Sequence, residues 1–155
     1  MIQRIQTVYL LIVAGLFIAI MLLPLAVVQS GNTVYSFDIS GLNTLAEPSV
    51  VVWSTWPLMV LTAIITLISL VVILMYKTRI LQMRICVFNS LLIVGLCILF
   101  GVYIWQFKKS PDLPEIEFGI KIWAAFPIIS LIFNYLAIRS IGTDEALVRS
   151  LERLR

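Results

Sequence analysis

Four uninterrupted apolar runs organise the chain: Ile5 to Val28, Trp53 to Tyr76, Ile85 to Phe107 and Ile122 to Ile138. None contains an Asp, Glu, Lys or Arg. As α-helices rising 1.5 Å per residue, runs of this length cross a hydrocarbon core of about 30 Å. Strands of a membrane barrel would instead alternate polar and apolar residues over about ten positions. The pattern predicts an all-α fold: a four-helix transmembrane bundle forming one domain over residues 1–155, with a tail at residues 139–155.

The same patterning breaks down between the runs. After the first, Tyr35, Phe37 and Ile39 alternate with Val34, Ser36 and Asp38, a strand-like period of two. Ile116 and Phe118 alternate with Glu115 and Glu117 in the third connection. Two readings stand: a small hairpin or two-strand sheet capping the outer side, or irregular loops whose aromatic residues dip into the interface. In the tail, Gly142 interrupts, Thr143 is a capping residue, and Leu147, Leu151 and Leu154 share a face beside Arg149 and Arg153. This predicts a separate amphipathic helix lying on the cytoplasmic leaflet, as an anchor or as a surface for a partner.

Charge supplies orientation. Arg4, then Lys77, Arg79 and Arg84, then Arg139, Arg149, Arg153 and Arg155 fall on one side of four antiparallel spans, and Lys108, Lys109 and Lys121 on the other. By the positive-inside rule both termini are cytoplasmic. Aromatic residues agree: Trp53, Trp56, Trp105 and Trp123 fall at the outer boundary, Tyr9, Tyr76 and Tyr135 near the inner one. The first run also invites reading as a signal peptide cleaved near Val28-Gln29-Ser30, but it exceeds the 7 to 15 or so apolar residues such segments use.

Inside a bundle, small and polar residues mark contact faces. The predicted faces are Gly15, Ala19 and Ala26; Thr55, Thr62, Thr66 and Ser69; Cys86, Ser90, Cys97 and Gly101; and Ser130, Asn134 and Ala137. The threonine stripe would also suit a narrow polar pathway in an oligomer. Gln3, Arg4, Gln6, Arg84, Asn89, Asn134 and Arg139 fall at one depth near the cytoplasmic boundary. This polar ring reads either as a vestibule for a lipid headgroup or small polar ligand, or as helix-to-helix hydrogen bonding with snorkelling arginines.

Composition narrows the chemistry. The 155 residues are 61% hydrophobic and 12% charged, against about 45 to 50% and about 25% in soluble domains, so apolar surface must face lipid. There is no histidine, which removes Ser-His and Cys-His nucleophile pairs and His-ligated metals. Cys86 and Cys97 lie eleven residues apart on one predicted helix. That is about 16 Å along its axis, too far for the dithiol of a membrane thiol oxidoreductase. No ionisable group lies mid-span for ion coupling. Asp112, Glu115 and Glu117, interrupted by Pro114 beside Lys108 and Lys109, make a poor metal site. No cofactor is expected, and the net charge of +3 follows from topology and does not point to nucleic acid.

The start, Met1-Ile2-Gln3-Arg4-Ile5-Gln6-Thr7-Val8-Tyr9-Leu10, and the end, Asp144 to Arg155, resemble the two signatures of a family of small bacterial integral membrane proteins with four predicted spans and unknown function. That resemblance implies a Gram-negative inner-membrane protein and supplies no activity, cofactor or catalytic residue. It also directs attention to the termini: Gln3, Arg4 and Gln6 are expected to meet a tail surface of Asp144, Glu145, Arg149 and Arg153 beneath the bundle. The expected role is a non-enzymatic structural or accessory component of a membrane complex, in contact with the lipid bilayer and with a membrane-protein partner or a second copy. The alternative is a lipid-binding or small-molecule transporter acting as an oligomer, and a membrane-embedded enzyme is a weaker third.

Overall fold

The computed structural model describes residues 3–30, 33–45, 51–75, 78–109 and 116–152. Four long helices, α1 (Gln3–Leu22), α2 (Trp56–Leu74), α3 (Arg79–Lys109) and α4 (Phe126–Glu152), alternate in direction. In ring order α1 packs between α2 and α4, and α3 packs between the same two. All four are long and apolar enough to cross a membrane. Their outward faces carry exposed Leu11, Leu67, Leu91, Ile98 and Ile132.

The first helix stops six residues before the end of its apolar run. Proline at position 24 removes an amide and restricts Leu23 before it, which ends the helix. Ala26-Val27-Val28, expected as helix, instead open strand β1 (Ala26–Ser30). A short continuous apolar run does not distinguish helix from buried strand by periodicity, and paired valines favour the strand.

That strand organises a five-stranded antiparallel sheet with β2 (Thr33–Phe37), β3 (Gly41–Thr44), β4 (Val51–Ser54) and β5 (Ile116–Ile120), in the order β4-β3-β2-β1-β5. Both segments with alternating patterning lie in it, although they do not pair with each other. Ala26 stands opposite Phe37 on one side and Ile120 on the other, so β1 lies between them. The sheet is thus larger than a hairpin or a two-strand pair. Asp38 secures the β2–β3 turn by accepting from Ser36 and Asn43 at 3.3 and 3.0 Å. Gly41 is required there, because a Cβ would come within 2.6 Å of the Trp53 carbonyl oxygen.

Beneath the sheet, Phe17 and Ile20 of α1, Leu58 and Ile65 of α2, and Ile93, Leu96 and Phe107 of α3 close over Val28, Phe37 and Leu42. This explains why the small-residue face expected on α1 is wrong. Gly15 is exposed, Ala19 is half-buried and Ala26 is buried in β1 and not in α1, while Leu10, Val13, Ala14, Phe17 and Ile20 turn inward. Large side chains are needed to fill the space under the sheet. The expected face on α3 is also displaced: Cys86 is buried, but Gly101 is exposed and the buried line runs Gln82, Cys86, Asn89, Ile93, Leu96. On α2 and α4 the predicted stripes are buried throughout.

The last two helices also outrun their predicted bounds. At 31 residues α3 is roughly 46 Å long, so it projects beyond a core of about 30 Å. A 3-10 turn at Ile122–Ala125 leads into α4, which continues without a break through Gly142. There is accordingly no separate tail helix: the Thr143 hydroxyl donates to the Ser140 carbonyl of the preceding turn at 2.8 Å. An internal glycine costs a helix about 1 kcal/mol. Continuing the helix buries Ile141 and Asp144, and that packing outweighs the cost.

Candidate functional site at the helical end

The bundle has a sheet end and a helical end. The termini of the described chain and the α2–α3 connection lie at the helical end, together with most of the polar ring expected from the sequence. The sheet end carries Trp53, Trp56, Trp105 and Trp123; Tyr9 lies toward the other, while Tyr135 is nine residues from the start of α4 and not at the helical end.

Three of the ring residues, Gln6, Asn89 and Asn134, do not meet one another; each bonds to a residue outside the ring on a neighbouring helix. Gln6 of α1 donates through Nε2 to the Oδ2 of Asp144 on α4, and both side chains are buried. Asn89 of α3 donates to Ser69 Oγ of α2 at 3.0 Å. Asn134 of α4 donates to the Cys86 carbonyl and to Ser90 Oγ of α3, at 2.9 and 2.8 Å. A further link, from Gln82 Nε2 to the Val72 carbonyl at 3.1 Å, lies ahead of the third apolar run, which starts at Ile85, and so is not part of the expected ring. Its helical spacing with Cys86, Asn89 and Ile93 was the available signal.

The charged members take other places. Arg84 is exposed and, with Thr78, Arg79 and Glu145, lines a groove of about 510 Å³ between the start of α3 and the end of α4. Arg139 is exposed. Gln3 and Arg4 lie in α1 and Arg149 in α4, with side chains outside the described set, and Arg153 is outside the described residues. Asp144 and Gln6 do meet, but Asp144 does so from within α4 and not from a separate tail. Because α4 is longer than its apolar run, a carboxylate assigned to a surface tail is 7% exposed, inside the helix contact.

Hydrogen-bond direction decides what this end can do. Thr62, Thr66 and Ser69 donate to the Leu58, Thr62 and Ile65 carbonyls of their own helix, at 2.7, 2.8 and 2.9 Å. Their donors are engaged within α2 and do not line a polar pathway. Thr55 is buried at the start of α2, where its hydroxyl reaches the Ile39 carbonyl at 3.0 Å and ties that helix to the sheet. Asn89 Oδ1 and Asn134 Oδ1 are buried acceptors, and Ser130 Oγ a buried hydroxyl, with no partner among the described residues. The arrangement aligns helices and leaves acceptors for a donor such as water. Both cysteines are free, and no group of three metal-ligating side chains occurs among the described residues.

Four apolar helices in alternating direction, stitched by amide side chains and capped by a small antiparallel sheet, define a protein of the multi-pass membrane class. Over residues 2–154 the chain matches the family model described as Domain of unknown function (DUF4293), and it belongs to that family. No curated protein matches it.

Proposed function

We propose that the protein is a non-enzymatic structural or accessory component of a bacterial inner-membrane complex, with both termini and the helical end in the cytoplasm. The observation that carries this reading is the pairing of Gln6 with Asp144, Asn89 with Ser69, and Asn134 with Cys86 and Ser90. These polar side chains hold helix to helix and do not converge on a common reacting position. Orientation rests on charge, since eight of the eleven basic residues fall in sequence on the same side of four antiparallel spans. The candidate partner is a membrane protein or a second copy.

Co-purification in a mild detergent with mass spectrometry of the bound proteins tests the role. A stoichiometric protein partner is the expected result, and a chain that elutes as a bare monomer under several detergents overturns it. Cysteines placed at the β2–β3 turn and near Ser150 test orientation. Only the former should react with an impermeant maleimide added to intact cells.

A further inference from the structure

The larger of the two clusters of buried side chains lies beneath the sheet, and beside it is a cavity of about 390 Å³. Every helix contributes a wall: Ile20, Leu58, Phe100 and Ile128 come from α1 to α4 in turn, and Ile39 and Ile120 roof the space. Its size is within the range of about 300 to 1,000 Å³ typical of small-molecule sites. Small side chains are part of its wall, Ala124 and Ala125 of the 3-10 turn and Cys97 of α3. An apolar space left empty costs stability in proportion to its volume. Ile120 and Ile128 are 64% and 60% exposed, so the cavity reaches the outer surface of the bundle, where acyl chains are the available filler.

One lining residue is charged. Lys121 is exposed at the rim, between β5 and the 3-10 turn, and its backbone amide donates to the Leu25 carbonyl at 3.1 Å. Its position is therefore fixed by the fold, next to Trp123, a residue type that favours the membrane interface. None of the ion pairs or side-chain hydrogen bonds among the described residues engages its ammonium. An apolar chamber open to the lipid, with one fixed cation at headgroup depth, is complementary to an amphiphile with one acyl chain and an anionic head. We infer that the sheet-end cavity binds such an acyl chain, with its carboxylate or phosphate head on Lys121. This site is distinct from the polar ring and does not depend on the accessory role proposed above.

The test uses the purified full chain in a neutral maltoside detergent, with bromine-labelled stearic acid as the probe. Trp123 adjoins the lining, so saturable quenching that disappears in Trp123→Phe reports occupancy. Lys121→Gln should weaken binding by about tenfold or more, the scale of a lost charge-assisted contact, while Lys121→Arg retains it. The matching bromine-labelled alcohol should bind the native chain as weakly as the acid binds Lys121→Gln. Ala125→Leu, which fills the chamber, should abolish quenching, with the melting temperature checking that it folds. Competition by the single-chain lysophosphatidylglycerol identifies a phosphate-headed lipid as the natural occupant, and its failure to compete identifies a free acid. Equal binding of acid and alcohol, or unaltered binding in both Lys121→Gln and a folded Ala125→Leu, overturns the proposal.

Discussion

At the sheet end Phe107 is wholly buried, with ring centroids 5.3 Å from Phe37 and 5.6 Å from Trp53. Toward the helical end Asn134 is equally buried, but it is held by two directed hydrogen bonds and leaves one acceptor without a partner among the described residues. The first environment joins helix to sheet through shape and apolar area, near the interface where water still drives burial. The second joins helix to helix within apolar surroundings, where packing and polar contacts replace the hydrophobic drive. The difference implies that the sheet end sets stability and the helical end sets helix register.

The largest expected effect follows directly. Phe107→Ala removes a filled aromatic position and should lower the unfolding free energy by about 3 to 5 kcal/mol, with Phe107→Leu costing clearly less. Thermal or SDS-induced unfolding in detergent measures it. A loss for Phe107→Ala no greater than that of Asn134→Ala would break the distinction between the two ends.

Asn134→Ala should cost about 0.6 to 2 kcal/mol, the range for polar contacts between membrane helices. The unpartnered Oδ1 disappears with the donor, so part of the loss is offset. A register role predicts a second readout: distances between spin labels on α3 and α4 should broaden in this variant more than in Phe107→Leu. Unchanged distances would mean that apolar packing alone fixes the register.

Much of this division was legible in the sequence. The Thr62, Thr66 and Ser69 stripe and the Ser130, Asn134 and Ala137 stripe lie on the buried faces of α2 and α4, because polar residues in an apolar helix turn toward other protein. Illegible parts have physical causes. Residues 26–28 read as helix since an apolar run carries no period, and only pairing with β2 and β5 on both sides makes a strand there. Gly15 and Ala19 suggested close helix approach, but the need to fill space under the sheet turned Phe17 and Ile20 inward instead. The cavity had no signature, because Ala124, Ala125 and Lys121 are unremarkable until the sheet and all four helices surround them. The polar ring separates into links at different levels, since Asn134 lies ten residues, about 15 Å along α4, from the Asp144 that Gln6 meets, and which neighbour each amide faces depends on the packed helices.

Gln6 and Asp144 provide a smaller and more specific test. Their bond joins the first turns of α1 to the last turns of α4, so it ties the two ends of the described chain together. A double-mutant cycle with Gln6→Ala and Asp144→Ala should give a coupling of about 1 kcal/mol. Additive losses would show that the contact contributes nothing, and the helical end would then depend on the Asn89 and Asn134 links alone.

The smallest effect has the opposite sign. Gly142 lies inside α4, and a Cβ added there would meet Met83 Sδ at 3.8 Å, an ordinary contact distance. Gly142→Ala should therefore raise stability by about 0.5 to 1 kcal/mol through helix propensity alone. It should do so without altering the Gln6 to Asp144 coupling, because the helix already runs straight through. If α4 were divided at this point into a span and a separate surface helix, alanine would force the two parts into line and strain the approach to α1. The substitution would then destabilise. The sign of one small change thus decides whether the helical end is a continuous extension of the bundle, with Asp144 held in place by that rigidity, or a detachable tail.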